Sequence, residues 1–364
     1  MPATEPPRAP DGASDGASSN GHFNSYQLAA PSADPASELT APVAPAISLT
    51  PRRPRWRNYT AFVLSGGGAR GALQVGILRA LLEHGERPDI VIGTSIGAWN
   101  AAWIAHDPTL AGIAALEAAW HTTHPARVLL DIEPPAHTPP QAMASMRLLS
   151  IARRLSASFP SLYSDAGMQH FIKRYLKNLR FEDMAVPLRI IAADLTHGTR
   201  TIFSSGPLAP AVLASSAIPG VFPPVRVGDA VYVDGGTLDN CSLETALGLG
   251  ARRVFVLDVG YDESSAGAPL WTSDGDPRTV RHGLGTPPLA AVLERTVQVM
   301  SRYQLTRALE RMPRGIEVHV LQPDTGDGGG ALEFGKAPEW IERGYQQARE
   351  YLNLHLRQDA SLRA

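Results

Sequence analysis

The sequence contains one cysteine in 364 residues, Cys241. A single thiol excludes an internal disulfide. With no Cys/His array at zinc spacing either, the chain reads as metal-free and suited to a reducing compartment. Cys241 itself reads as a small buried hydrophobe. His121 and His124 could share a helix face, but no carboxylate lies near them in sequence to complete a metal site, so both read as surface residues. Net charge is equally scarce, because 33 basic and 35 acidic residues leave −2. That balance supplies no global field to draw nucleic acid or an anionic surface. No run approaches the ~18 apolar residues of a membrane span. The first residues, MPATEPPRAPDGASDGASSNG, have neither the basic nor the apolar region of a secretory signal. These absences predict a cytoplasmic protein without metal or cofactor, in which any membrane contact is local and peripheral.

What is present is enough apolar sequence, 44% of residues, to bury a substantial core. Residues 1–57 are dominated by Ala, Pro, Ser, Asp and Gly and read as a disordered tail. The tail ends in PRRPRWRN, where Arg52, Arg53, Arg55 and Arg57 flank Trp56. That segment is either a solvated linker or a weak contact for anionic headgroups. From there strands and helices alternate. TAFVLS reads as a buried strand, GALQVGILRALLEHG as a helix ended by Gly85, and DIVIG as a second strand. AAWIAH continues as helix to Asp107, which reads as the N-cap of the helix TLAGIAALEAAW with Pro108 at its first position. Further strands are expected at LRIIAADL, RTIFSS, VYVDGG, RRVFVLDVG and IEVHVLQ. Further helices are expected at APAVLASSA, SLETALGLG, LAAVLERTVQVMSRYQLTRALER and EWIERGYQQAREYLNLHL.

The alternation predicts an α/β fold, a three-layer α/β/α arrangement with a mostly parallel central sheet. Residues 58–250 form its core, and 251–356 add strands and helices to the same domain. Residues 134–160 interrupt the pattern with a Pro-rich stretch and an amphipathic segment. Leu148, Ile151, Leu155 and Phe159 fall on one face of it, with Arg147, Ser150 and Arg154 opposite. It reads as a helix packed on the core or as a lid over an apolar pocket. DTGDGGG, from Asp324, reads as a flexible loop.

Three motifs carry chemistry. GTSIG places Ser95 between Gly93 and Gly97, after an apolar strand and before an apolar helix. This is the strand-turn-helix setting in which a sharp turn exposes a nucleophilic hydroxyl at a helix N-terminus. LSGGGARG places Gly66, Gly68 and Gly71 in a G-x-G-x-x-G pattern, which also suits a dinucleotide site. That alternative requires an acidic residue at the end of the second strand, and the strand ends instead in Gly-Thr-Ser. The better use of the glycines is to aim backbone N–H groups at an acyl oxyanion, with Arg70 lending charge or anchoring the loop. A triad would add a histidine, yet His197, His282 and His319 all lack the expected setting with an upstream acidic partner. Asp234, followed by Gly235 and Gly236, stands at a strand end where a carboxylate can point into a pocket, although an Asp-Gly turn alone explains it equally well.

Taken in order, GGGARG, GTSIG and DGG resemble the patatin-like phospholipase family, as do the intervening AADLTHGT and ASSAIPGVFPPV. The resemblance is strongest over residues 59–249. It implies a serine lipid acyl hydrolase of the phospholipase A, lysophospholipase or carboxylesterase type, working on a lipid or fatty-acyl ester. It implies Ser95 as nucleophile, Asp234 as its base, and Gly66, Gly67 and Gly68, with Arg70, as the oxyanion hole. An ordinary aspartate, with pKa ~3.9, is a weak base for a hydroxyl, so an environment that raises its basicity is expected around Asp234. The competing readings are a regulatory or scaffold protein on the same fold with little turnover, and a nucleotide-binding protein.

Overall fold

The first strand, Tyr59–Leu64 (β1), buries Ala61, Phe62, Val63 and Leu64 completely. A strand with no solvent-facing side must lie inside a sheet covered on both faces. The computed structural model, which describes residues 59–122, 161, 163–176, 178–261, 288–326 and 329–362, shows that arrangement. Phe62 and Leu64 pack on one side with the helices Gly71–Glu83 (α1), Ile96–His106 (α2), Leu110–His121 (α3), Ala166–Leu176 (α4), Leu208–Ser215 (α5) and Ala337–Leu362 (α8). Ala61 and Val63 pack on the other side with Leu243 of helix Leu243–Gly248 (α6) and Leu305 of helix Pro288–Glu310 (α7). The three-layer expectation holds.

The remaining strands are Ile90–Thr94 (β2), Leu188–Asp194 (β3), Thr199–Phe203 (β4), Val225–Val227 (β5), Ala230–Asp234 (β6), Ala251–Leu257 (β7) and Glu317–Leu321 (β8). They form one eight-stranded sheet in the order β5-β6-β3-β2-β1-β7-β8, with β4 paired to β3 off this path. Pairing is parallel from β8 through β7, β1 and β2 to β3, and antiparallel where β3 meets β4 and β6 and where β6 meets β5. The sheet is therefore mixed, parallel in its central part. Strands β7 and β8 continue it beyond residue 250.

The register at β3 positions the site. Ile190 pairs with both Gly93 of β2 and Phe203 of β4, while Ala192 pairs with both Asp234 of β6 and Thr201 of β4. A strand has two edges, so β2 and β6 share the edge of β3 opposite β4. Thr94 lies beside Ile191 and Asp234 beside Ala192. The C-terminal ends of β2 and β6 thus meet tip to tip.

Several local expectations change. The N-cap of α3 is Thr109, whose hydroxyl accepts from Gly112 N–H at 3.2 Å. Asp107 instead ends α2, in the extended conformation that the residue before a proline favours. The Thr109 hydroxyl donates to its carboxylate at 2.6 Å. Helix α4 and the three-residue strand β5 were not expected from the sequence. The 1–57 tail with PRRPRWRN, the 134–160 segment, His124 and His282 lie outside the described residues.

A buried polar network ties the helices beneath the site. Asn100 Nδ2 donates to Gly71 O and Gln74 Oε1, each at 2.9 Å, and Trp120 Nε1 donates to Asn100 Oδ1 at 3.0 Å. Gln74 Nε2 donates in turn to Ser65 O at 2.8 Å, at the start of the glycine loop. Asn100→Ala would strand several of these buried groups. It is expected to lower the unfolding free energy by about 2–3 kcal/mol, seen as a reduced urea midpoint with an unchanged slope.

Candidate active site

Strand β2 is buried throughout, and the chain turns from it into α2 at a single residue, Ser95. Ser95 has φ 57° and ψ −126°, well inside the positive range of φ that side-chain-bearing residues rarely adopt. Such a conformation costs on the order of 1–3 kcal/mol and persists only where the surroundings impose it. Here they do. The Ser95 N–H donates to Ser215 Oγ at 2.8 Å, and that hydroxyl donates to Ile191 O at 2.6 Å. The flanking glycines let strand and helix cross closely: a Cβ on Gly93 would lie 2.4 Å from Gly97 O, and one on Gly97 would lie 2.2 Å from Leu64 O. Ser95 opens onto an apolar cavity whose walls include Trp99 and Ile96 of α2, Phe171 and Ile172 of α4, Phe222 and Phe334.

Asp234 ends β6 at 6% exposure. Burial pushes its carboxyl up to about 6, and hydrogen bonding from the Ser95 hydroxyl and the Gly236 N–H draws it only partly back. The Gly236 bond to Oδ1 is 2.8 Å. Gly235 and Gly236 begin the turn that carries the chain away, with Gly235 seated against Ile191.

The glycine loop lies over Ser95, since a Cβ on Gly66 would come within 2.8 Å of the Ser95 Cβ. Its N–H groups are not equivalent. Gly66 N–H is taken by Asn240 Oδ1 at 2.9 Å, and Ala69 N–H by Ala331 O at 2.7 Å. Among the described residues, the Gly67 and Gly68 N–H groups have no hydrogen-bond acceptor. Gly68 adopts φ 61°, which suits glycine. Of the expected set of Gly66, Gly67, Gly68 and Arg70, the Gly66 N–H and the Arg70 guanidinium are thus engaged within the protein, and the Gly67 and Gly68 N–H groups are without an acceptor among the described residues. Arg70 is almost fully buried and anchors the loop from behind. Its Nε donates to Val259 O at 3.1 Å, and its Nη1 donates to Glu294 at 2.7 Å and to Gly329 O at 3.4 Å. Gly71 follows as the first residue of α1. The stretch around Asp324, read as a flexible loop, supplies Gly329 and Ala331 to this brace.

The histidines stand elsewhere. His197, in the turn between β3 and β4, pairs with Asp194 at 2.8 Å. His319, on β8, meets Glu317 at 2.7 Å and the Tyr351 hydroxyl at 3.2 Å. Cys241 is buried, and His121 is exposed at the end of α3. Among the described residues no cluster of three or more His, Cys, Asp or Glu could hold a metal, and no helix is long and apolar enough to cross a membrane. Sequence reasoning missed Asn240 and Ser215 as parts of the site. Both sit in stretches it had quoted or adjoined, ASSAIPG and DGGTLDN, but their partners are distant in the chain.

The patatin-like phospholipase family model matches residues 62–247, just over half of the chain. Patatin-like phospholipase domain-containing protein 7 of Mus musculus is 29% identical over 313 residues, covering 82% of this chain and 21% of the relative. Lysophospholipase nte1 of Aspergillus terreus is 27% identical over 302 residues, covering 80% of this chain and 18% of the relative. The chain thus spans about a fifth of the length of the curated relatives it matches. Among solved structures, VipD from Legionella pneumophila aligns with a TM-score of 0.38 at 16% identity, covering 82% of this chain and 67% of that one. With the family pattern matched from β1 to α6, across the glycine loop, the Ser95 turn and the Asp234 strand end, this chain belongs to the patatin-like phospholipase family.

Proposed function

We propose that the chain is a lipid acyl hydrolase acting on phospholipids, lysophospholipids or related carboxyl esters. Ser95 is the nucleophile, Asp234 its base, and the Gly67 and Gly68 N–H groups the oxyanion donors. The observation that carries this reading is the meeting of β2 and β6 on one edge of β3, which sets a strained serine against a buried carboxylate of raised pKa. The names of the relatives, a phospholipase domain protein and a lysophospholipase, support the substrate class.

In the first step the Ser95 hydroxyl gives its proton to Asp234 while its oxygen attacks the ester carbonyl. The carbonyl oxygen gains negative charge in front of two N–H groups that need no reorganisation to receive it. Collapse of the intermediate expels the alcohol or lysolipid, which takes the proton from Asp234. Water then attacks the acyl-enzyme and gives a proton to Asp234, the bond from Ser95 Oγ to the acyl carbon breaks, and Asp234 returns the proton to Ser95 as the fatty acid leaves. The apolar cavity at Ser95 gives the acyl chain a dry place to lie. Peripheral contact with a lipid surface belongs to the same proposal, supported by the apolar side chains that α7 exposes at Val292, Val299 and Tyr303.

The pH profile tests the assignment of the base. Asp234 must be ionised to accept the proton, and its pKa is about 6. Fatty-acid release from lysophospholipid is therefore expected to lose about tenfold in kcat/KM per pH unit below that value, and to level off above it. A profile flat down to pH 4 would mean that an aspartate of ordinary acidity, or another group, takes the proton.

A further inference from the structure

We propose that Asn240 is a positioning residue that aims the oxyanion loop, an inference that rests on the reading of Ser95 as nucleophile. Three adjacent glycines give the loop wide conformational freedom. Oxyanion donors stabilise charge only if they are held in place before reaction. Arg70 and the Ala69–Ala331 bond hold the far end of the loop, but Gly66 and Gly67 have no side chains to fix the peptide between them, and Asn240 is placed to do so.

Asn240 is buried at 3% exposure, in the turn that follows the Asp234 strand end. Its carboxamide grips both backbone groups of Gly66. Gly66 N–H donates to Oδ1 at 2.9 Å, and Nδ2 donates back to Gly66 O at 3.2 Å. The second Nδ2 proton goes to Ser301 Oγ on α7 at 2.6 Å. This pattern fixes the amide's orientation, because only its oxygen can accept from Gly66 N–H and only its nitrogen can donate to the carbonyl.

The consequence falls on the next residue. Gly66 C=O and Gly67 N–H belong to one planar trans peptide and point in opposite directions. Holding the carbonyl on Asn240 therefore sets the direction of the Gly67 N–H, one of the two proposed oxyanion donors. The backbone of the same residue is linked to the turn that follows the base. Asn240 N–H donates to Gln304 Oε1 at 2.9 Å, and Gln304 Nε2 donates to Gly236 O at 3.3 Å and Thr237 O at 3.4 Å, in the turn after Asp234. Asn240 and α7 thus hold the donor loop and the base turn in a common frame.

Asn240→Ala removes the clasp without adding charge. With a lysophospholipid substrate, the variant is expected to lose about 100-fold in kcat, with KM within about twofold of wild type. The acidic limb of its pH profile should stay near the wild-type position, since Asp234 keeps its burial and its Gly236 bond. Rates are normalised to the fraction of Ser95 that reacts to completion with a fluorophosphonate, so a partly unfolded sample does not imitate the effect. A folded Asn240→Ala protein whose normalised kcat stays within threefold of wild type overturns the proposal. So does a loss that disappears on normalisation. Should that variant fail to fold, Ser301→Ala decides, because it removes the bond that steadies the carboxamide and leaves the Asn240 clasp on Gly66 in place. A loss of about tenfold in kcat supports the proposal, and unchanged kcat overturns it. Wild-type protein that neither hydrolyses lipid ester nor labels at Ser95 would instead overturn the functional reading beneath it.

Discussion

Ser95→Ala protein is expected to release no measurable fatty acid from any lipid that the wild type hydrolyses, a fall in kcat/KM of about 10⁴-fold or more. The reason is chemical. The remaining machinery can bind an ester and polarise its carbonyl, but it has no oxygen to form the acyl-enzyme. Fold should survive, because the Ser95 N–H, which bonds Ser215 Oγ, is retained and only the hydroxyl is lost. Ser95→Gly makes a useful companion. Both variants remove the hydroxyl, but glycine adopts φ 57° freely, whereas alanine keeps the Cβ and with it the strain that serine already bears. Ser95→Gly should therefore be more stable than Ser95→Ala by about 1 kcal/mol, read from urea unfolding. Lipid profiling by mass spectrometry, comparing wild type and Ser95→Ala on a native extract, would report head group and acyl position in the same experiment. Residual hydrolysis at more than about a hundredth of the wild-type rate in purified Ser95→Ala would remove Ser95 from the nucleophile role.

Asp234→Asn should be nearly as damaging to catalysis, with kcat down by about 10³–10⁴-fold. An asparagine can hold the Gly236 N–H but cannot accept the serine proton. Its effect on stability should run the other way. The native pKa of Asp234 is raised from 3.8 to about 6, so the folded protein binds more protons than the unfolded chain between those values. Stability contributed by this group is then lost as pH rises through that window, and above about 6 the fold carries a buried charge it would be better without. Asparagine removes that cost. Above pH 7 the variant is expected to match or exceed the wild type in unfolding free energy, by on the order of 1–3 kcal/mol. Near pH 4, where the wild-type carboxyl is protonated, the gap should close. A variant that keeps more than a tenth of wild-type kcat would rule out Asp234 as the base. A variant inactive because it is unfolded would show at once in the same denaturation curves.

The parts of the site written in contiguous motifs were legible in the chain. GTSIG already carries the strand-turn-helix pattern and the two glycines that a close crossing requires, because those needs are local. The alternation of β1, α1, β2 and α2 was legible for the same reason: each element declares itself through a short apolar period. Helix α4 was harder to see because its buried residues, Met168, Ile172 and Leu176, are interspersed with polar ones and follow soon after the sequence stretch 134–160, where the strand-helix pattern is interrupted. The N-cap of α3 was misassigned by two residues because Asp107 and Thr109 are both good caps. Only the backbone conformation around Pro108 separates them.

The sequence by itself determined the composition class, the α/β alternation and the motifs that carry the candidate residues for acyl chemistry. Tertiary structure decided how those residues stand to one another. Gly66 and Asn240 are 174 residues apart in the chain, and Arg70 reaches Glu294 across 224. No local pattern encodes such pairs, because they depend on strand order, and strand order reflects which buried edges fit together in three dimensions. The same holds for Asp234. DGG by itself left it open between a turn and a site carboxylate, and its raised pKa comes from the exclusion of water by a packed sheet end, which exists only once β2 and β6 meet on β3. Arg70 is the converse case. The sequence left it open between lending charge to an oxyanion and anchoring the loop, and packing turned it toward Val259, Glu294 and Gly329, where it holds the loop from behind.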